Sequence, residues 1–360
     1  MTKVENMSRI FSGNIHIFHA FDVGEDVDLE QIKQTPSIVR RPLAPSKYFK
    51  NYHKPLSIEL PHPHSTSFCE CVKIYPFGVI ALHYKIPFES TFEKLRHDIV
   101  ELDNEFREQS VSDASVIYRV IEKSIKKPTF FHISKSYNVV QIKTSEDLPG
   151  TLLAEQFGGT IASILRFEDE QLAEHKKNEI LKRAFGYYRG DLIITDTEAA
   201  FVYDDEYEDT LDLFEFVNIQ HLELQYFDRV LDKHLTQAYN KGTLPITIKE
   251  YLPIWGSFKI TGIDNLDAIK VEISVITERL ENSIKLTGEP YYSELYKALS
   301  TALDLENWKV SIERKLEIVR DISSLYESRA NTVREDFFSI LIIILIFIEL
   351  VIAIINFWRV

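Results

Sequence analysis

Cysteine is nearly absent from this chain of 360 residues: only Cys69 and Cys71 occur. That excludes a disulfide framework and fits a reducing compartment. Basic charge is in deficit, with 41 Lys and Arg against 55 Asp and Glu, so the net charge of −14 argues against nucleic acid as partner of the whole chain. The opening MTKVENMSRIFSGNIHIF lacks an apolar core segment and a cleavage site, and its acidic residues argue against an organellar transit peptide. Gly158-Gly159-Thr160 has no Gly-Lys-Ser/Thr after it, so it is not a phosphate loop. No Ser-His-Asp order, glycosidase carboxylate pair or nucleotide fingerprint stands out, and no cofactor is expected.

What is present is a long hydrophobic run. Phe337 to Trp358 reads FFSILIIILIFIELVIAIINFW. As a helix it would be about 33 Å long, against a hydrocarbon core of about 30 Å. Its Ile, Leu, Val and Phe side chains outweigh the single Glu349 on an insertion scale, so the segment is expected to span a membrane. Flanking charge bias is weak, but only Arg359 and Val360 follow the run. The expectation is a tail-anchored protein with its bulk facing the cytoplasm, at the inner membrane if bacterial.

Before the span, 45% apolar content supports one or two packed cores. Residues 14–21 have strand character, and Asp26 to Ile32 starts like a capped helix. The clearest hairpin joins Phe68–Tyr75 to Val79–Ile86 through Pro-Phe-Gly. Helical spacing runs over 92–121, and 130–142 reads as a strand pair around Ser136-Tyr137-Asn138. This predicts an α+β domain over 1–147. Helices and a second hairpin make a connector over 148–208.

A long-helix, coiled-coil-like region is expected over 209–336, then the transmembrane helix over 337–358. Its first helix, 209–239, carries Leu213, Phe216, Val217, Gln220, Leu224, Phe227, Leu231 and Leu235 on one stripe. Another is expected over 265–286. From Tyr291 onward no Gly or Pro interrupts the chain, so a single rod through the membrane would approach 100 Å. Its apolar stripe needs a partner, met by antiparallel packing within the chain or by another copy. A homo-oligomer and an unknown protein partner are therefore expected.

Three ordered stretches carry a family likeness. HAFDVGEDVDLEQI (His19 to Ile32), IYPFGVIALHY (Ile74 to Tyr84) and ILIIILIFIEL (Ile340 to Leu350) together resemble the required-for-meiotic-nuclear-division family, a domain of unknown function. LDLFEFVNIQHLELQYFDRVLD (Leu211 to Asp232) looks like the helix of its bacterial members. The resemblance implies a membrane-anchored, oligomeric scaffold with an acidic residue in its apolar span. The family has no agreed catalytic residues. This chain departs from the mitochondrial branch, which supports translation inside the organelle, in lacking a presequence and in having Tyr291-Tyr292 at the helix turn.

Four constellations could carry chemistry. His62, His64, Cys69 and Cys71 offer imidazole and thiolate, which suit zinc, although Cys69 and Cys71 on one face of a strand are also small core residues. Six carboxylates among Asp204, Asp205, Glu206, Glu208, Asp209 and Asp212 could attract a hard cation or a basic partner. They lack the glycine of a tight calcium loop, and Asp209 suits a helix N-cap. Arg40, Arg41, Lys47, Lys50 and Lys54, with interleaved aromatics and no acid over 37–54, could meet anionic lipid or single-stranded nucleic acid. Glu349 sits near mid-bilayer, where an acid normally faces another helix.

The leading expectation is a non-enzymatic, tail-anchored scaffold or tether. Its alternatives are a membrane-anchored metal-dependent domain or enzyme using the His/Cys cluster, and a lipid or nucleic-acid binder using 37–54.

Overall fold

The structure, a computed structural model, describes residues 9–43, 49–50, 54–60, 68–130, 134–188, 190–242, 285–286 and 290–358. The chain divides into two units: Met1–Tyr226 with Glu278–Trp308, and Phe227–Thr277 with Lys309–Val360.

The first unit is built on one long strand. β1 (Phe11–Asp22) alternates two sets of side chains, and both are buried, so the strand lies inside a sheet covered on both faces. After it come α1 (Leu29–Lys33), β2 (Phe49–Lys50), β3 (Leu56–Ile58), β4 (Cys69–Ile74) and β5 (Val79–Ser90). Asp28 caps α1 by accepting from Glu30 N and Gln31 N. The hairpin turn at Pro76-Phe77-Gly78 needs its glycine. Gly78 has φ +100, and a Cβ there would lie 1.8 Å from Gly24 O. β5 pairs antiparallel with β1 from Phe11↔Ser90 to Asp22↔Val79.

The helix α2 (Phe92–Ile121) matches its expected bounds and is capped by Thr91. β6 (Lys135–Ile142) then pairs antiparallel with the other side of β1. It is one strand, not the expected pair. Tyr137 lies opposite Phe18 and stacks on Phe214, while Asn138 donates to Asp103, so tertiary partners override the turn-like triplet.

The sheet does not stop at residue 147. Helices α3 (Gly150–Leu165) and α4 (Glu174–Leu181) lead into β7 (Ala184–Phe185), β8 (Leu192–Thr195) and β9 (Ala199–Tyr203). β9 pairs parallel to β6, so the expected connector completes an eight-stranded sheet of order β3-β4-β5-β1-β6-β9-β8-β7. β2 pairs separately with β10 (Lys285–Leu286), two residues expected to end a helix. The rest of that expected helix, 265–284, lies outside the described residues.

One face of the sheet carries the apolar core with α2, α3 and α4. There Phe11 stacks on Phe92 at 3.9 Å, and Phe157 and Phe201 meet the edges of that pair. The β8–β9 turn is fixed to this layer by charge. Asp196, fully buried, accepts from Arg183 Nη1 at 2.7 Å and from Arg166 Nη2 at 3.0 Å, which ties the ends of α3 and α4 to the hairpin.

The other face is covered by α5 (Glu208–Gly242), which begins at Glu208 and not after an Asp209 cap; Asp209 lies inside its first turn. Residues 210–224 of α5 are buried almost all round. α6 (Pro290–Ala302) packs beside it, with Tyr296 OH donating to Gln220 Oε1 at 3.1 Å. Thr210 meets Tyr291 and Gln220 meets Tyr296, so the two helices run parallel. The expected antiparallel arrangement assumes a short link, but residues 243–289 separate them.

No single rod runs from Tyr291. The chain breaks at Leu303-Asp304, where Asp304 takes φ 56, and α7 (Leu305–Trp358) starts afresh. Leu303 and Leu305 are both buried, so packing on each side of the break favours the bend over a continuous helix. In the second unit, Lys315 pairs with Asp228 at 2.8 Å and Asp232 at 2.6 Å, and Ser311 donates to Asp228.

Asp196→Ala should cost about 3 kcal/mol, because it leaves two half-buried guanidinium groups without their shared carboxylate. Arg166→Ala should cost less, since Arg183 keeps the pair. Urea unfolding of the chain in detergent micelles measures both.

Candidate functional site

The polar side chains of the molecule concentrate where α5 meets the sheet. Strand alternation selects them: His16, Phe18 and Asp22 on β1, His83 on β5, and Cys71 and Lys73 on β4 face α5, while their neighbours face the apolar core. Successive turns of α5 present Asp212, Glu215, Asn218 and Glu223.

Lys73 is the main tie. Its side chain is 8% exposed, and its Nζ lies 3.0 Å from Asp212 Oδ1 and in a short contact with Glu215, whose side chain is 3% exposed. Burial pushes the Glu215 carboxyl above its ordinary value, and Asp212 adds to the push, while Lys73 opposes both. Glu223, farther along, is held well above the usual range by burial and then by Asp22. Asn218 donates to the carbonyl of Lys135 at 3.0 Å. Gln225 donates to His221 Nε2 at 2.8 Å.

Beside Lys73, His16 Nδ1 and His83 Nε2 share a hydrogen bond of 2.9 Å, one ring donating to the other. His83 stacks on Phe18, and His16 also packs near Tyr207. Burial pulls His16 down to about 3, helped by Lys85. His83 is held well below its ordinary value by burial, then by His16, Lys73 and Lys85. Both rings are therefore neutral at pH 7, and their mutual hydrogen bond does not position either for proton transfer to a substrate.

The opposite face holds a second polar cluster. Tyr84 OH and Gln109 Nε2 each donate to Asp113 at 2.8 Å, and Asn138 and Arg107 donate to Asp103 at 2.8 and 2.7 Å. Each carboxylate oxygen there already accepts a hydrogen bond. His19 beside them is lowered to about 4, chiefly by burial.

The residues singled out from sequence fall elsewhere. His62 and His64 lie outside the described residues. Cys69 and Cys71 do not share a face of β4. A register shift between them sets Cys69 opposite Tyr84 and Cys71 opposite His83, so the bulge turns their side chains to opposite sides of the sheet. Burial raises both thiols, Cys71 to about 12 with Glu215 contributing, which disfavours the thiolate a metal requires. Among the described residues no group of three or more His, Cys, Asp or Glu is arranged to hold a metal ion.

Of the basic set, Arg41 lies 3.7 Å from both Glu59 and Glu70, so part of its charge is offset. Arg40 bridges to Ile58 through its backbone, and Arg40 and Lys54 are exposed. Lys50 lies in β2 opposite Lys285, and Lys47 lies outside the described residues. The acidic run is dispersed: Asp212 pairs with Lys73, Asp205 accepts from Thr144, Asp204 accepts from Glu206 N, and Glu206 and Glu208 stay exposed. Glu349 lies exposed on α7.

Sequence reasoning missed His16, His83, Lys73 and Glu215. The available signal was NIHIFHAF, a strand apolar at both parities into which histidines are set. Such a strand is buried on two faces, so its polar residues need internal partners.

An eight-stranded, two-face-covered sheet with a buried polar layer under one helix defines the class of the first unit. Residues 12–210 match the family described as "Uncharacterized protein MJ0711, N-terminal domain", and the chain belongs to that family. The uncharacterized protein MJ0711 of Methanocaldococcus jannaschii is 27% identical over 201 residues, covering 54% of this chain and 58% of that one. The family match ends in the first turn of α5. No solved structure matches.

Lys73→Met strands Glu215 in the interior and should cost about 3–5 kcal/mol, whereas Lys73→Met with Glu215→Leu should recover most of the loss. Denaturant midpoints of the two variants in micelles test this.

The histidines set the acid limb of stability. A buried neutral imidazole binds its proton only below its lowered value, whereas the unfolded chain binds it near 6.5. Stability should therefore fall as pH drops from about 6.5 towards 3, by up to ~1.4 kcal/mol per pH unit for each fully buried histidine. His16→Phe should flatten that slope by about one proton, read from urea titrations between pH 7 and 4.5.

Proposed function

We propose that this chain is a membrane-anchored, self-associating scaffold that tethers partners, rather than an enzyme. The observation that carries the reading is the end of α7. Phe338–Ile355 is an apolar helix of 18 residues with mean hydropathy 3.3, none of it buried. Leaving such a surface in water is costly, and a bilayer removes that cost. The soluble part faces the cytoplasm in this reading.

Two further features support it. The central polar groups under α5 bind one another: Lys73 is engaged by Asp212 and Glu215, and His16 by His83. This is the pattern of a layer that fixes a helix. On α7, Val310, Ile318 and Leu325 are exposed at spacings of eight and seven residues, close to a coiled-coil seam along which a second copy could pair. Glu349, within the apolar run, is a helix–helix contact in the bilayer, in line with the family resemblance of the Ile340–Leu350 stretch. The metal-dependent alternative loses support from the opposed thiols of Cys69 and Cys71.

The full chain should stay in the membrane pellet after alkaline carbonate extraction, and light scattering in detergent should give a protein mass above the monomer. Glu349→Leu should remain in the pellet yet shift the mass towards monomer. Release by carbonate overturns the anchor; a strictly monomeric mass overturns self-association.

A further inference from the structure

The apolar run at the end of α7 departs from Ile, Leu, Val, Phe and Trp at few places, and these are not scattered. From Phe337 to Trp358 they are Ser339, Glu349, Ala353 and Asn356. With Ile342 and Ile346 between them, they fall in the order 339, 342, 346, 349, 353, 356, at alternating steps of three and four. That repeat keeps one side of a helix turned towards a neighbouring helix. Every small or polar residue of the span therefore lies on one side, while the opposite side carries Ile344, Ile348, Val351 and Ile355.

The same side continues below the span. α7 is one helix from Leu305 to Trp358, and Ile318, Leu325, Thr332, Ser339, Ile346 and Ala353 recur along it every seven residues, all exposed. The buried Ile312 and Val319 each lie one residue round from this series, so packing within the chain uses another side. The interleaved Asp321, Ser328 and Glu335 are exposed and polar, which leaves close contact to the bilayer.

The polar groups decide what covers the stripe. A carboxyl group in hydrocarbon has no water to bond, and Glu349 is exposed on the span. Among the described residues no second helix is long and apolar enough to cross, so the chain offers no described partner at that depth. A second copy does. Copies inserted in the same sense lie parallel, which brings each residue of the stripe opposite itself at equal depth. A carboxylic acid or a side-chain amide both donates and accepts, so two copies of one satisfy each other. Ser339 already donates to the Glu335 carbonyl at 2.9 Å; its part, like that of Ala353, is to be small enough for two backbones to approach.

We propose that Ser339, Ile342, Ile346, Glu349 and Ala353 form a face through which the span pairs, parallel and in register, with the span of a second copy of this chain. This rests on the anchored, self-associating reading and deepens it by naming the surface and its occupant. Association through any other surface would leave that reading standing and end this one.

The test places single cysteines in the full chain, in its native membranes, and oxidises them with copper phenanthroline. Ile342→Cys and Ile346→Cys should give a disulfide-linked product of two chains, several-fold more than Ile344→Cys and Ile348→Cys. All four replace isoleucines of similar exposure, 47–58%, at similar depth. The wild-type chain, which keeps Cys69 and Cys71, is the blank. Ala353→Phe should lower the Ile346→Cys product several-fold by holding the helices apart, whereas Ile355→Phe should not. Glu349→Gln should keep the product, since an amide is also its own complement. Carbonate extraction of each variant checks that the span is still inserted. Equal products at the four positions, more at 344 and 348, or a product of another mass would each overturn the proposal, as would an Ala353→Phe chain that links as before. No product at any position, with light scattering still above the monomer, overturns the face alone; a strictly monomeric mass overturns self-association with it.

Discussion

A helix buried on every side has to be apolar or has to find a partner for each polar group it takes inside. The first half of α5 follows the second course for one polar atom each of Glu215, Asn218, Gln220 and His221. It brings Glu215, Asn218, Gln220, His221 and Glu223 into the interior, and much of the first unit answers to them. Lys73 comes up from β4, Tyr296 comes across from α6, and Lys135 offers a carbonyl from β6. Each of these pairings is weak evidence for net stability, since desolvation offsets attraction. Their effect is positional: a helix slipped by one turn would draw Glu215 away from Lys73, so the pairings fix its register on the sheet.

The two faces of the sheet solve different problems. Towards α2, α3 and α4 the contacts are stacked and edge-on rings of Phe11, Phe92, Phe157 and Phe201, which tolerate small adjustments. The exceptions there are the hydrogen bonds gathered by Asp103 and Asp113 and by Asp196, a single carboxylate holding two helix ends at once. Towards α5 the contacts are directional. The family match, residues 12–210, spans the whole apolar side and the sheet but ends as α5 begins. The matched part is thus the platform together with the first turn of the helix that covers its second face.

Elements with strong local signals were legible in the sequence: β1, the β4–β5 hairpin, the bounds of α2 and the apolar run at the end of α7. What was not legible is non-local. Ser136-Tyr137-Asn138 has turn composition, yet Phe18, Phe214 and Asp103 hold it extended. The Leu303-Asp304 break uses an aspartate in the left-handed region where sequence reading looks for glycine or proline. The bulge that separates Cys69 from Cys71 depends on the register with β5, which spacing alone cannot supply. The buried layer was hidden for the same reason: Lys73 and Glu215 are 142 residues apart in sequence, and only the fold brings them together.

That separation has a consequence for the order of assembly. Every strand of the large sheet precedes α5 in the chain, so during synthesis the sheet is complete before the helix that covers its second face has been made. A wholly apolar face left bare for that interval would be an invitation to aggregate. Lys73, His16, His83 and Gln141 make it wettable instead. The charges that later grip the helix first act as a temporary surface, and the waiting sheet is protected by the same residues that end its wait.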